Sequence, residues 1–224
     1  MILAAGRGER MRPLTDATPK PLLDAGGKPL IAWQIEALAR AGYRELVVNV
    51  SHLADAFVAR LGDGASLGVS IRWSREPEPL ETAGGIATAL PLLTRGPVLV
   101  VSGDVWTRFD YASLEARRDA MARSGASPRA HLVMVPNPAY HAKGDFGLTG
   151  ETLTLDREPR LTFGNIALYH TDLFAELPRG EKLKMLPLYQ RWIRAGIASG
   201  ERYGGPWFNV GSPAELAALN QFLQ

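Results

Sequence analysis

The sequence predicts an α/β fold, with a Rossmann-like, doubly wound, mixed but mostly parallel sheet in a single domain over residues 1–224. Three observations predict it. Short apolar runs alternate with segments of helical spacing through the first half of the chain. A tight glycine loop follows the first apolar run, in the position where open α/β sheets bind ligands. A length of 224 residues suits one domain with a sizeable core.

The first half alternates between predicted strands and helices. The strands are apolar or alternating runs, and the helices carry apolar residues three and four positions apart and tend to end near a glycine. The expected elements, in chain order, are a strand at 1–3, a helix at 29–41, a strand at 45–50, a helix at 53–61, a strand at 69–73, a helix at 82–92 and a strand at 98–101. This order is typical of parallel sheets with helices on both faces.

The second half is less regular. The expected order is a helix at 110–123, a loop at 125–128, a strand at 131–135, a loop at 136–143, strands at 146–155 and 161–169, and helices at 184–195 and 212–223. The two later strands are predicted to form a hairpin partly outside the main sheet. The last helix has strong start signals, with Ser212 as N-cap, Pro213 at the first position and Glu215 at the third.

Composition and charge exclude several function classes. The net charge is only +2, so no global field attracts nucleic acid or a membrane surface. There is no cysteine, which excludes a disulfide framework and a thiolate metal site. No apolar run reaches the length of a membrane span. We therefore expect a cytoplasmic protein that acts on small molecules, without nucleic-acid or membrane partners; a monomer is compatible with the sequence.

The first predicted strand has only three residues before the glycine loop, which is short for a strand. We expect that a few residues precede Met1 in the natural protein, and mass spectrometry of that protein tests this expectation.

The glycine loop and the cations around it predict a polyphosphate site. Gly6 and Gly8 let the backbone approach an anion with its N–H groups exposed. Fixed positive charge comes from four residues of the same segment: Arg7, Arg10, Arg12 and Lys20. The segment lacks the Walker A pattern, and Met11 replaces the third glycine of a dinucleotide fingerprint. For the glycines alone, a tight turn with solvated arginines remains the alternative.

Five segments of the chain resemble the sugar-1-phosphate nucleotidylyltransferase family. Residues 3–15 (LAAGRGERMRPLT) and 19–22 (PKPL) match its signature position by position, and residues 79–85, 102–104 and 207–211 continue the match. The resemblance therefore spans nearly the whole chain. It implies the nucleotide-diphospho-sugar transferase type of fold, without the C-terminal β-helix domain of some relatives, for which no residues remain.

The resemblance implies an enzyme that joins a sugar 1-phosphate to the α-phosphorus of a nucleoside triphosphate and releases pyrophosphate. The attacking oxygen is already an anion, so catalysis consists of positioning and charge neutralisation. The strings at 78–86 and 103–106 most resemble N-acetylmuramate-1-phosphate uridylyltransferases, which transfer UMP from UTP. The alternatives are mannose-1-phosphate guanylyltransferase, glucose-1-phosphate thymidylyltransferase, a phosphocholine cytidylyltransferase-like enzyme and a non-catalytic nucleotide-sugar-binding regulatory protein.

The resemblance also implies roles for individual residues. Arg10 and Lys20 are the expected catalytic residues, with Arg10 near the leaving pyrophosphate and Lys20 near the α- or sugar phosphate. Both are expected to bind nucleotide together with Leu3, Ala4, Ala5, Gly6, Gly8, Glu76, Pro79, Glu81, Thr82, Gly84 and Gly103. Within this set, Glu76 is the candidate acceptor for the N–H of a uracil ring.

A magnesium site is expected at Asp104 and Asn209. Asp104 follows a buried strand directly, where a carboxylate is well placed for Mg²⁺. Many relatives have aspartate where this chain has Asn209, whose amide oxygen is an uncharged ligand. The expected sugar-binding residues are Gly144, Asp145, Glu158 and Asn165, and the candidate cations for a muramic acid carboxylate are Lys143, Arg160, Lys184 and Arg202.

Overall fold

A computed structural model of the chain describes residues 1–123, 125 and 128–224. The helices are α1 (Leu30–Arg40), α2 (Ala54–Leu61), α3 (Glu81–Ala89), α4 (Glu115–Ala122), α5 (Leu186–Arg194) and α6 (Pro213–Leu223). The strands are β1 (Ile2–Leu3), β2 (Asp24–Ala25), β3 (Lys28–Pro29), β4 (Glu45–Val50), β5 (Ser70–Arg75), β6 (Pro97–Ser102), β7 (Val105–Thr107), β8 (Ala130–Val135), β9 (Phe146–Thr149), β10 (Thr152–Thr154), β11 (Arg160–His170), β12 (Ala198–Arg202) and β13 (Trp207–Asn209). The loop expected at 125–128 lies partly outside the described residues.

A nine-stranded mixed sheet organises the fold, in the order β5-β4-β1-β6-β11-β8-β12-β10-β9. The four strands β5, β4, β1 and β6 are parallel, as is the pair β8–β12. The long strand β11 runs antiparallel between β6 and β8. The predicted Rossmann-like mixed sheet is thus confirmed, and its parallel part is concentrated in the N-terminal half.

Helices cover both faces of the sheet, as the doubly wound prediction requires. On one face the apolar sides of α1, α2 and α4 pack through Ile35, Phe57 and Met121 against strand residues such as Val48. On the other face α3 and α5 pack through buried side chains that include Ile86 and Trp192. β4 is buried at five of its six positions, as expected for a central parallel strand.

Two expectations about the later strands are wrong. Residues 146–155 form two strands, β9 and β10, because Gly150 turns the chain at φ 57°. The expected hairpin is also not outside the main sheet, since β9 pairs with β11 and β10 pairs with β12. β12 itself has no apolar run, and only its position beside β8 makes it a strand.

The C-terminal helix α6 holds a small ribbon against the body of the protein. The Ser212 hydroxyl accepts a hydrogen bond from the Glu215 N–H at 3.3 Å, as the start signals predict. Glu215 in turn accepts from the Gly211 N–H at 2.7 Å. Leu219 packs with Trp106 in a third apolar cluster, so α6 supports the antiparallel pair β7–β13. Among the described helices, none has the length and apolar character that crossing a bilayer requires.

Candidate active site

The glycine loop presents its backbone N–H groups outward from the end of β1. Gly8 adopts the left-handed conformation at φ 66°, and a Cβ there would lie 3.0 Å from Thr15 and 3.1 Å from the Lys20 side chain. Thr15 donates a hydrogen bond to the Gly8 carbonyl at 2.8 Å and fixes the turn. Within the described structure, the backbone N–H groups of residues 6–10 have no protein acceptor. Such a row of unpaired donors suits an anion.

A cleft of about 500 Å³ opens beside this loop and is called the cationic cleft here. It is lined by Arg7, Gly8, Glu9, Arg10, Lys20, Pro79, Glu81, Lys182 and Gly211. Arg10 lies against Gly211, where a Cβ would be 3.1 Å from its guanidinium. Neither Arg7 nor Arg10 has a carboxylate oxygen within 4.0 Å among the described residues. Arg12 instead pairs with Asp16 at 3.3 Å, and both side chains are mostly exposed.

A second opening of about 350 Å³ lies at the carboxyl ends of β1, β4 and β6 and is called the strand-end cavity. It is lined by Leu3, Ala5, Gly6, Asn49, Glu76, Pro79, Leu80, Glu81, Thr82, Ser102 and Asp104. The cationic cleft shares Pro79 and Glu81 with it, so the two openings are neighbours. The structure thus has two adjoining openings, one at the strand ends and one beside the glycine loop.

A buried hydrogen-bond network shapes the strand-end cavity. The Asn49 amide accepts from the Ala4 N–H at 2.9 Å and donates to the Glu76 carboxylate at 2.7 Å. The other oxygen of Glu76 accepts from the Leu80 N–H at 3.0 Å. Burial raises the pKa of Glu76, and these two hydrogen bonds act in the opposite direction. Both oxygens of Glu76 are thus engaged in the protein, and the side chain braces the loop that contains Leu80.

Asp104 stands between the two openings. Its carboxylate forms an ion pair with Lys20, and both side chains are largely shielded from solvent. Its carbonyl accepts from the Val210 N–H at 2.9 Å, and the ribbon register places Asn209 opposite Val105. The ribbon therefore brings the backbones of the two predicted metal ligands close together from distant parts of the chain. Carboxylate and amide oxygens are donors that a hard cation prefers.

A third opening of about 340 Å³ contains two of the four predicted sugar-binding residues, Asp145 and Asn165, and is called the aromatic cavity. It is lined by Tyr140, His141, Asp145, Phe146, Thr162, Phe163, Asn165, Leu186, Tyr189, Trp207 and Asn209. Asp145 accepts from the Phe163 N–H at 2.8 Å and lies 3.0 Å from His141 Nε2. Burial raises the pKa of Tyr140, and its hydrogen bond with Asn209 opposes that rise.

Asn165 owes its position to an irregularity in β11. The register of β11 against β8 shifts between Phe163 and Ala167, and Asn165 lies within the shift at φ 57°. A bulge of this kind redirects one side chain of a strand, and asparagine tolerates the left-handed conformation better than most residues. Asn165 consequently lines the aromatic cavity.

Five predicted contact residues are not among the residues that line these openings, and packing accounts for four of them. Gly84 faces the 181–183 segment, since a Cβ would lie 2.1 Å from the Glu181 carbonyl oxygen. Gly103 packs on Ile2 and Leu3, and Ala4 is buried behind the loop. On the sugar side, Gly144 packs against Asn137, while Glu158 is exposed and caps the Arg160 N–H at 2.9 Å.

The candidate cations for a sugar carboxylate also lie outside the aromatic cavity. The Arg160 guanidinium donates to the Leu155 carbonyl at 2.6 Å and pairs with Glu158. Lys143, Lys184 and Arg202 are exposed. Among the described lining residues, His141 is the single basic side chain.

Sequence reasoning overlooked three residues of the site. Asn49 is a lone polar residue in the apolar run of β4, and that anomaly was a usable signal. Lys182 reaches the cationic cleft from a segment without any motif. Tyr140 comes from the loop after β8, and nothing in its neighbourhood marks it in the sequence.

The chain belongs to the nucleotidyl transferase family, whose sequence model matches residues 1–148. Two relatives are similar over almost their full length, and both are N-acetylmuramate alpha-1-phosphate uridylyltransferases. The protein from Neisseria meningitidis is 43% identical over 96% of this chain and 94% of its own. That from Caulobacter vibrioides is 33% identical over 97% and 94%. The mannose-1-phosphate guanylyltransferase of Mycobacterium tuberculosis is 37% identical over 62% of this chain.

Solved structures share the fold at low sequence identity. A putative glucose-1-phosphate thymidylyltransferase from Bacillus anthracis superposes with a TM-score of 0.84 at 19% identity, covering 99% of this chain and 93% of its own. HddC from Yersinia pseudotuberculosis, in complex with GMP-PN, has a TM-score of 0.80 at 17% identity over 100% and 98%. These likenesses confirm the expected fold class. The family model and the two uridylyltransferases confirm the expected enzyme class.

Proposed function

We propose that this nucleotidyltransferase transfers UMP from UTP to N-acetylmuramate 1-phosphate, giving UDP-N-acetylmuramate and pyrophosphate for cell-wall recycling. The observation that supports the proposal is that the strand-end cavity and the cationic cleft adjoin, since they share Pro79 and Glu81 and the Lys20–Asp104 ion pair links the lining of one to that of the other. The choice of base and sugar follows the two relatives that match along nearly the whole chain. The proposal includes a cytoplasmic location, because both substrates are phosphorylated metabolites.

In the proposed mechanism the strand-end cavity binds the uracil and the cationic cleft binds the β- and γ-phosphates. The glycine-loop N–H groups and Arg10 hold the phosphates that leave as pyrophosphate. Lys20 lies where the α-phosphate passes from one opening to the other, so it neutralises charge as the sugar phosphate attacks. Positioning and charge neutralisation suffice, since the nucleophile is already an anion.

The proposal includes Mg²⁺ at Asp104 and Asn209. The described residues contain no cluster of three or more His, Asp or Glu side chains that would form a complete cage. One carboxylate and one amide fit a magnesium ion that takes its remaining ligands from phosphates and water. When bound, Mg²⁺ neutralises phosphate charge. Lys20 holds one carboxylate oxygen of Asp104 and thereby orients the other.

In this proposal the aromatic cavity receives the amino sugar. Asn165 and Thr162 offer groups for hydroxyl and amide recognition, and Trp207 supplies an apolar wall whose N–H is already donated to the Gly164 carbonyl at 2.9 Å. His141, held by Asp145, is the basic side chain available to a lactyl carboxylate.

Pyrophosphate release tests the proposal directly. UTP, dTTP, CTP and GTP are crossed with N-acetylmuramate, N-acetylglucosamine, glucose and mannose 1-phosphates, with choline phosphate as a further acceptor. We expect turnover to be fastest with UTP and N-acetylmuramate 1-phosphate. Faster turnover with another pair replaces the substrates, whereas nucleotide binding without turnover in any combination favours a nucleotide-sugar-binding regulatory protein.

A further inference from the structure

Among the described residues that line the cationic cleft, Lys182 is the one cation from outside the N-terminal segment 7–20. It lines the same opening as Arg7, Arg10 and Lys20, although more than 160 residues separate it from them. No motif in the sequence marks the segment around it.

The backbone on both sides of Lys182 is attached to α3, near its start on one side and near its end on the other. The Leu183 N–H donates to the Leu80 carbonyl at 3.0 Å, and the Leu183 carbonyl accepts from the Ala83 N–H at 3.0 Å. On the other side, the Gly180 N–H donates to the Thr88 hydroxyl at 3.0 Å. Because the segment is bound at two points, the backbone of Lys182 is held in a fixed position beside the cleft.

Gly84 makes this attachment possible. A Cβ at Gly84 would lie 2.1 Å from the Glu181 carbonyl oxygen, so only glycine lets the segment lie this close to α3. The role of Gly84 is therefore to place the 181–183 segment, rather than to contact a nucleotide.

Lys182 already has a carboxylate partner, Glu78. Its ammonium lies 2.5 Å from Glu78 Oε2, and the two side chains are 55% and 56% exposed. The hydrogen bond and the charge of Lys182 lower the pKa of Glu78, and the charge of Arg7 adds to that effect. An exposed pair of this kind is weak and exchanges readily with a stronger anion. Glu78 immediately precedes Pro79, which borders both nucleotide openings.

We propose that Lys182 binds the β- and γ-phosphates of the nucleotide and the pyrophosphate product, and that Glu78 is the counter-ion which these phosphates displace. The proposal deepens the proposed function, since it assigns a further binding residue to the same cleft. A triphosphate carries more charge than one carboxylate, so it outcompetes Glu78 for the ammonium. The α-phosphate lies nearer Lys20 and Asp104, and UMP therefore does not reach Lys182.

Calorimetric titration of the full chain with pyrophosphate, UTP and UMP, at fixed excess Mg²⁺, tests the proposal. Lys182→Met is compared with Lys184→Met, a matched control on an exposed residue outside the cleft lining. We expect Lys182→Met to weaken the binding of pyrophosphate and of UTP by roughly tenfold, on the scale of one charge-assisted contact. The affinity for UMP should stay within about twofold of the wild type. Lys184→Met should match the wild type for all three.

Glu78→Gln gives an independent measurement with the opposite sign. Because the neutral amide competes less for Lys182, we expect pyrophosphate and UTP to bind about two- to fivefold more tightly. Equal affinities of the Lys182→Met and Lys184→Met variants for pyrophosphate would overturn the proposal. So would a Lys182→Met variant whose affinities for UTP and for UMP fall by the same factor. A wild-type chain that binds pyrophosphate through Lys182 but does not bind UTP would support Lys182 and refute the uridine assignment instead.

Discussion

The cationic cleft and the aromatic cavity are built in different ways. Among the described residues that line the cleft, every cation except Lys182 comes from residues 7–20, and backbone N–H groups supply further donors. The aromatic cavity draws its walls from the loop after β8, from β9, β11 and α5, and from β13. A site that recognises charge thus fits within one continuous segment, whereas a site that recognises shape needs several elements in register.

Lys20→Met should give the largest effect and tests the cationic cleft. Because Lys20 lies between Asp104 and the cleft, we expect kcat to fall about 10²- to 10³-fold, as for the loss of one preorganised donor. Steady-state kinetics measures the change, and the thermal melting curve checks that the variant is folded. A kcat within about threefold of the Lys184→Met control would show that Lys20 only balances the charge of Asp104.

Substitutions at Asn165 test the aromatic cavity, the part of the site that recognises shape. We expect Asn165→Ala and Asn165→Gly to raise the KM for the sugar phosphate about tenfold, because both lose the amide, and to leave the KM for UTP unchanged. Glycine tolerates the φ of 57°, so the alanine variant should also be less stable than the glycine variant by about 1 kcal/mol in urea unfolding. Equal rises in both KM values would place Asn165 outside the sugar side.

Asn209→Asp tests the predicted metal ligand on the ribbon. An added carboxylate beside Asp104 should bind the cation more tightly, and we expect the Mg²⁺ concentration for half-maximal activity to fall roughly fivefold. The measurement is a Mg²⁺ titration of pyrophosphate release at saturating substrates. An unchanged titration curve would count against Asn209 as a ligand.

Glu76→Gln should give the smallest effect, which is a change in the way the free energy of unfolding depends on pH. Burial raises the pKa of Glu76 above its unfolded value, so its contribution to the free energy of unfolding is fully present at pH below the unfolded pKa. That contribution is lost as the pH rises through the folded-state pKa. The neutral variant does not titrate, and the wild type should lose stability relative to it over this range, by on the order of 1 kcal/mol.

Urea unfolding of both proteins at a series of pH values checks this expectation. A stability difference that is constant with pH would mean that Asn49 and Leu80 compensate the buried charge fully.

Local sequence patterns predicted the N-terminal half of the fold closely. β4 has the expected bounds, and α1 and α2 differ from expectation by one residue at each end or less. These segments carry their own periodicity, and parallel strands joined by helices have few alternative arrangements. β12 was not predictable in this way, because its partner β8 is distant in the chain. The split of residues 146–155 was overlooked although Gly150, where the chain turns between β9 and β10, is a local signal.

The same division separates what the sequence determined about the site from what the tertiary structure decided. The glycine loop, Arg10, Lys20 and Asp104 were readable because backbone turns and strand ends follow from local residue types. The positions of Lys182, Asn49 and Asn165 were decided by contacts between segments, namely the attachment to α3, the network across β4 and the bulge in β11. Gly84 belongs to both groups, since its motif was visible but the backbone it accommodates appears only in the folded chain.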